Sequence, residues 1–386
     1  LLDYWPLNRV SRENLYNVKP LVIEKIPLFV LSLVVSLTTL WAQQSEGALK
    51  PLSSLPLNDR LSNAWVSILA YFGKFFYVSE IGIFYPFETF SPGVGVGAAF
   101  GVLAISYVFL IHLKRPNVIV GWLWFIIALI PVLGFVYVGG QSFADRWSYL
   151  PHIGFLIGAC SYIEPKSQVT RTSRLALVCT CLYVALMAYK THINLPFYKD
   201  SESVFRHTLS VTKSNFMAHN NLGVVLENQG RISDAAYHYS EAIRVKPSYS
   251  TAINNLGSVR AKQKSFPEAI SLFSKALTLQ PNSTRIRYNL GLAYSDSGKP
   301  ISAAREWVQI LALDSKDQQA RKSLNSLFTP LRGQNCLVIR RRFSDLSEIS
   351  SLRQVTNQLR AKEGDSELVQ TLFLVVECLG GSPRAR

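Results

Sequence analysis

Asn220-Asn221-Leu222-Gly223 returns 34 residues later as Asn254-Asn255-Leu256-Gly257, and again as Tyr288-Asn289-Leu290-Gly291. The same interval relates Ala235, Ala269 and Ala303, and the aromatic residues Tyr239, Phe273 and Trp307. Ala242 matches Ala276, and Pro247 matches Pro281. A fixed period of this size marks a stacked repeat: each unit buries its apolar face only against its neighbours, so about three are needed for stability. The third copy is degenerate, with Ile310 in the Ala column and Ser315 in the Pro column.

This is the tetratricopeptide pattern, in which paired antiparallel helices meet at small residues and leave through a proline. It predicts repeats at 216–249, 250–283 and 284–317 inside a region 197–330. Ser201–Ser214 is expected as a helix feeding the first repeat, and a closing helix is expected after Leu313. Such a superhelix offers a concave groove for a peptide or protein partner. Asn220, Asn221, Asn254, Asn255 and Asn289 fall on the first helices, which usually line the groove. Their amides donate and accept together, which suits an extended backbone. The same residues also suit packing or capping between helices. No cysteine falls in 197–330, which is compatible with an oxidising compartment. Asn282-Ser283-Thr284 is a glycosylation acceptor triplet that matters only in a secretory pathway.

Ahead of the repeats the composition changes. The 386 residues are 48% hydrophobic and 17% charged, whereas soluble domains are nearer a quarter charged. The net charge of +15 divides into +5 over 1–196, +7 over 197–330 and +3 over 331–386. With no basic arm, nucleic acid is not an expected partner. Residues 1–196 read as a transmembrane helix bundle with about five spans, at 21–42, 94–113, 117–138, 150–163 and 175–191, because a bilayer core of ~30 Å needs roughly 20 apolar residues. The 150–163 stretch is short for a full crossing, and the side on which the repeats lie depends on it. Gly93, Gly97 and Gly101, then Gly154 and Gly158, recur four apart, a spacing that lets membrane helices approach. Pro131 is expected to kink the third span. With the start of the chain cytoplasmic, nine Lys and Arg fall on cytoplasmic pieces and four (Lys50, Arg60, Lys74 and Arg146) on outer loops. That bias fits the positive-inside rule and puts everything after Thr191 on the extracytoplasmic side. The fold class is therefore all-α: a multi-span bundle in contact with membrane lipid, followed by a tetratricopeptide superhelix.

Two outer loops carry polar chemistry. Ala64–Phe84 interleaves Trp65, Tyr71, Phe72, Phe75, Phe76 and Tyr77 with Lys74 and Glu80. This suits a segment lying at headgroup level, either as an anchor or as a substrate groove. The second loop, from Gly139 to Pro151, sets Asp145 beside Arg146 at a membrane face, with Tyr149 following. Ionisable groups there are functional candidates, and an arginine suits phosphate or carboxylate. The equal alternative is a structural pair joining helix ends. No phosphate-binding glycine loop, metal-ligand spacing or nucleophile triad is found, so no metal and no resident cofactor are expected. A transporter is disfavoured because the spans lack buried charges. The five cysteines make no disulfide framework in a chain this long. The 331–386 tail shows no fourth repeat, and no role is read for it; Leu368–Leu379 is apolar but too short to cross a membrane.

Asp3-Tyr4-Trp5-Pro6-Leu7, Glu24-Lys25-Ile26-Pro27, Ala42-Gln43, Gly73-Lys74, Phe84-Tyr85-Pro86 and Ala144-Asp145-Arg146-Trp147-Ser148-Tyr149-Leu150-Pro151 precede the repeats. Over about residues 1–320 this resembles the transmembrane-and-tetratricopeptide O-mannosyltransferase-like family and its bacterial relatives, which are multi-span glycosyltransferases of the GT-C type. The resemblance implies sugar transfer from a polyprenyl-phosphate donor to a protein acceptor held by the repeats. The expected setting is the outer face of a bacterial inner membrane, or the endoplasmic reticulum of a eukaryote. Asp145 and Arg146, with Tyr149 and Lys74, are the donor-phosphate or lipid candidates. The chain starts at Leu1 and in what reads as mid-bundle, so the family's catalytic outer loop is expected to precede it, and no catalytic residue is carried over. The alternative is a non-enzymatic membrane-anchored adaptor.

Overall fold

Apolar runs and 34-residue periods both resolve into helices. The computed structural model describes residues 18–45, 56–77, 82–86, 90–112, 115–133, 141–160, 171–331, 336–342, 349–364 and 366–380, with single residues 1, 3, 7, 9 and 334. It divides into two units, Leu1–Ala218 and His219–Arg386.

In the first unit, α1 (Val18–Ser45) is 28 residues long, about 42 Å at 1.5 Å per residue. Its apolar side chains lie almost wholly exposed, Phe29 at 64% and Trp41 at 74%. Charge gathers at its start, where Arg9 pairs with Asp3 (3.1 Å) and Glu24 (2.6 Å) and Lys25 pairs with Asp3 (2.7 Å). Next come α2 (Leu57–Phe76), α3 (Pro92–Tyr107) with a π-turn at Val108–His112, and α4 (Pro116–Leu129). Among the described residues two helices are long and apolar enough to cross a bilayer, Lys19–Ala42 and Pro92–Ile111; Pro116–Val132 and Tyr149–Gly158 are apolar but shorter. Pro131 does not kink α4. It lies in a 3-10 turn, Ile130–Val132, that ends the helix, because a proline ring removes an amide donor and crowds the preceding turn.

The aromatic α2 is a core helix. Ala64, Ile68 and Tyr71 recur on one stripe and bury against Val102 of α3 and Trp122, Phe125 and Leu129 of α4. Phe72, Phe75 and Phe76 join Phe155 in a net of ring contacts at 4.8–6.5 Å. The segment expected at headgroup level therefore packs inward along much of its length. The close helix approaches match the expected glycines only in part, at Gly154 and not at Gly93 or Gly97. Gly93 and Gly97 have open space beside them, Gly101 faces Leu69, and the tight contact of α3 is Gly95 against Ser62. The α4 helix meets α5 (Tyr149–Cys160) backbone to backbone at Gly121 and Gly154, where no side chain keeps the helices apart. A second long helix, α6 (Arg171–Asn194), leads through a 3-10 turn to α7 (Ser201–Val211), capped by Asp200 accepting the Ser203 N–H at 2.8 Å.

In the second unit the predicted pairs are present: α8 (Phe216–Asn228), which starts just before the boundary, with α9 (Ile232–Val245); α10 (Ser250–Lys262) with α11 (Phe266–Leu279); and α12 (Thr284–Asp296) with α13 (Pro300–Leu313). The sixteen-residue offset between the glycine and aromatic columns has a direct cause. A Cβ on Gly223 meets the Tyr239 ring at 2.6 Å, one on Gly257 meets Phe273 at 2.8 Å, and one on Gly291 collides with Trp307. Each glycine is the notch that seats its repeat's ring. The turn inside each pair needs a left-handed residue. Gly230 and Gly298 supply it at φ 78°, and Lys264 holds the same place at φ 61°.

The tail belongs to the same core. After α14 (Gln318–Phe328), helices α15 (Cys336–Arg342), α16 (Ile349–Glu363) and α17 (Glu367–Gly380) close the stack. Leu352, Leu359, Leu372 and Val375 share one cluster with Trp307, Leu311 and Phe328. Cys336 and Cys378 form a disulfide between α15 and α17, a bond that spacing alone did not announce.

Candidate functional site

The last turn of α2 carries Lys74. The short strand β1 (Tyr85–Pro86) carries Tyr85 and pairs antiparallel with β2 (Gln141–Phe143), Tyr85 opposite Phe143. The chain leaves β2 through Ala144 into a 3-10 turn, Asp145–Trp147. Tyr71, fully buried, fixes this corner: its hydroxyl donates to the Ala144 carbonyl (3.0 Å) and accepts the Ala144 N–H (3.1 Å). The Ser148 hydroxyl donates to the Asp145 carbonyl at 2.7 Å. Asp145 is thus held from both sides.

Three side chains converge there. The Lys74 ammonium pairs with Asp145 Oδ1 and donates to the Tyr85 hydroxyl at 2.9 Å. The Tyr85 hydroxyl donates to Asp145 Oδ2 at 2.7 Å and also accepts the Gly82 N–H at 2.7 Å. Lys74 Nζ lies 4.2 Å from the centre of the Tyr85 ring. The Lys74 and Asp145 side chains are only 25% and 15% exposed. Burial pushes the Lys74 ammonium below the usual lysine range, opposed by the Asp145 charge. Burial, reinforced by that negative charge, pushes the Tyr85 phenol well up, so it stays protonated and donates. The Tyr198 phenol is raised by the same two causes, with Tyr149 adding to them.

The strand that holds Tyr85 is tied to α7. Thr208 Oγ1 accepts the Ile83 N–H at 3.3 Å, and the Phe84 and Phe205 rings stack with centroids 6.4 Å apart. Asn215, 1% exposed, donates to the Phe84 carbonyl at 2.9 Å, and its Oδ1 accepts the Ala218 N–H at 3.0 Å in the first turn of α8.

Of the four donor-side candidates, the structure brings Lys74 and Asp145 together. Tyr149 lies exposed at the first residue of α5, and the Arg146 side chain lies outside the described residues. Asp145 is paired with Lys74, 71 residues away in sequence. Tyr85 was not singled out by sequence reasoning. Its only signal was its place in the Phe84-Tyr85-Pro86 stretch.

In the second unit the asparagines bond mainly to one another. Asn289 Nδ2 donates to Asn254 Oδ1 (3.0 Å), Asn254 to Asn255 (3.4 Å), Asn255 to Asn220 (3.0 Å) and Asn220 to Asn221 (3.1 Å). Asn220 and Asn254 are buried, at 4% and 3% exposed. All five candidates thus form one amide ladder along the first helices of the repeats. The packing role is realised, and Asn221, Asn255 and Asn289 keep partial exposure. Among the described residues no cluster of three His, Cys, Asp or Glu side chains can hold a metal.

A model of the tetratricopeptide repeat matches residues 197–250 and 221–284. The human protein O-mannosyl-transferase TMTC1 is 27% identical over 147 residues, which cover 36% of this chain and 16% of that protein. The Caenorhabditis elegans protein O-mannosyl-transferase F38B6.6 is 34% identical over 124 residues, 32% of this chain and 18% of that protein. Among solved structures, YrrB, described as a TPR protein with an unusual peptide-binding site, is 17% identical with a TM-score of 0.32, covering 46% of this chain and 93% of its own. The first repeat domain of Spaghetti (RPAP3), bound to an HSP90 peptide, is 20% identical with a TM-score of 0.30, covering 32% of this chain and 98% of its own. The chain therefore carries tetratricopeptide repeats, and it is similar to protein O-mannosyl-transferases along a matched stretch less than a fifth of their length.

Proposed function

We propose that this chain is part of a multi-span membrane glycosyltransferase that moves a sugar from a polyprenyl-phosphate donor to a protein on the extracytoplasmic face. The observation that carries the reading is the Lys74–Tyr85–Asp145 cluster, at the end of a core helix in a unit whose α1, α3 and α6 expose long apolar surfaces. Each large apolar side chain left in water costs roughly 1.5–3 kcal/mol, so lipid is the natural occupant beside α1. Lys74 is the cation assigned to the donor phosphate, with Arg146 and Tyr149 on the donor side. Asp145 and Tyr85 position the Lys74 ammonium. The repeats hold the acceptor, with the exposed edges of the asparagine ladder as its backbone contacts. Two facts support the orientation: the lysine and arginine bias of the loops, and the Cys336–Cys378 disulfide, since such bonds persist in oxidising compartments.

The test is transfer in membranes containing the full-length protein and a polyprenyl-phosphate mannose donor. Lys74→Met and Arg146→Ala should each abolish transfer and leave membrane insertion unchanged; normal transfer by both variants removes the assignment. A second reading, the membrane-anchored adaptor, is favoured by one feature of the cluster: the Tyr85 hydroxyl has its donor and both acceptor sites filled, and both Asp145 oxygens are engaged. A clamp of that kind joins helix ends without chemistry. It predicts partner capture by the repeats that survives Lys74→Met, with no transfer by the native protein.

A further inference from the structure

We propose that Asn282 carries an Asn-linked oligosaccharide. The inference rests on the orientation proposed above, which puts the repeats in a compartment where that chemistry takes place. Asn282-Ser283-Thr284 is the chain's one Asn-x-Ser/Thr triplet. It occupies the turn between α11 and α12, closed by the Ser283 N–H to the Gln280 carbonyl at 3.1 Å. The equivalent turns are closed the same way, Tyr249 to Lys246 at 2.9 Å and Asp317 to Asp314 at 3.2 Å. The turn therefore belongs to the repeat architecture and does not depend on the Asn282 side chain. Its other features are held independently: Ser283 Oγ caps α12 by accepting the Ile286 N–H at 3.4 Å, and Arg287 Nη2 donates to the Pro281 carbonyl at 2.8 Å. Pro281 and Asn282 are exposed. An oligosaccharide is attached while the chain is still extended, so the fold need only leave room for it, and this turn does.

A second, independent observation points to the same compartment. The Cys336–Cys378 disulfide lies in the same unit as Asn282 and requires an oxidising environment. The reaction is a substitution at the anomeric carbon of a polyprenyl-diphosphate-linked oligosaccharide. The Nδ2–C1 bond forms, and the bond from C1 to the diphosphate oxygen breaks. The polyprenyl diphosphate leaves with the electron pair, and the amide proton passes to a base of the oligosaccharide transferase. Asn282 lies in the turn that precedes α12, seven residues ahead of Asn289 at the end of the amide ladder.

The test is expression of the full chain in animal-cell microsomes, bearing a C-terminal tag with its own acceptor triplet. Treatment with an amidase specific for Asn-linked glycans should remove a gel shift and leave Asp at position 282, read by mass spectrometry of the wild-type peptide. Asn282→Gln and Thr284→Ala should lose that shift, and Thr284→Ser should keep it. A glycosylated tag with a bare Asn282 overturns the proposal and leaves the orientation standing. Bare Asn282 and a bare tag overturn both.

Discussion

Replacing Asp145 by Asn keeps the shape of the side chain and removes the charge opposite Lys74. Removing one partner of a fully buried ion pair costs 3–5 kcal/mol, because the other charge is left uncompensated. Here the two side chains keep 25% and 15% exposure, and the amide still accepts from Tyr85, so the expected loss is about 2 kcal/mol. The loss should depend on pH with a definite sign. Burial lowers the folded-state value of Lys74 and Asp145 opposes that shift; without the carboxylate the value falls further. The unfolded chain then binds more protons than the folded one below the usual lysine value of about 10.4, so stability rises as pH rises toward it. The assay is thermal unfolding of the purified protein in detergent at pH 7 and pH 9.5, for Asp145→Asn, Lys74→Met and the double variant. Asp145→Asn should recover part of its loss at the higher pH. The double variant should be more stable than Asp145→Asn alone, because no unpaired charge remains. Strictly additive losses, or an Asp145→Asn melt unmoved at both pH values, would refute the idea that the carboxylate compensates Lys74.

Three further outcomes follow from the second unit. Lys264→Gly should stabilise the repeats by roughly 0.5–1 kcal/mol, the ~1–2 kcal/mol left-handed penalty less the extra freedom of glycine in the unfolded chain; Gly298→Ala should do the reverse, read by denaturant midpoints. Reducing the Cys336–Cys378 bond, whose ends are 42 positions apart in sequence, should cost about 4 kcal/mol by loop entropy, seen as a lower melting temperature under dithiothreitol that Cys336→Ser reproduces. His219 Nδ1 lies 3.0 Å from His238 Nδ1, and burial holds the His219 imidazole below its usual value, with Arg244 lowering and Glu241 raising it. A base lowered on folding gives stability above its unfolded value that is lost as pH falls below about 6.5, by at most ~1.4 kcal/mol per pH unit; a pH series of urea melts of native protein and His219→Gln should differ over that window.

The repeats were legible because a 34-residue period states its own register, and the glycine and aromatic columns are the two halves of one contact, as Gly257 and Phe273 show. Lys74 and Asp145 were legible as charges between the apolar runs. Their union with Tyr85 was not, because it needs a two-residue strand to pair with a distant one so that Tyr85 reaches Asp145, 60 positions away, and nothing local encodes that. The row of glycines in α3 misled for a related reason: spacing shows which residues share a face, but the partner helix decides which face is used, and Ser62 selects Gly95. The tail was opaque because its apolar positions complete the core of the preceding helices and carry no period of their own.

Asn215 makes one short side chain into a rivet. Its amide fastens the carbonyl immediately before Tyr85 at one end and the opening turn of α8 at the other. Slack introduced at that point, for instance by alanine, frees two different backbones at once. The opening of α8 and the backbone beside the phenol that touches the buried lysine therefore share a single fastening.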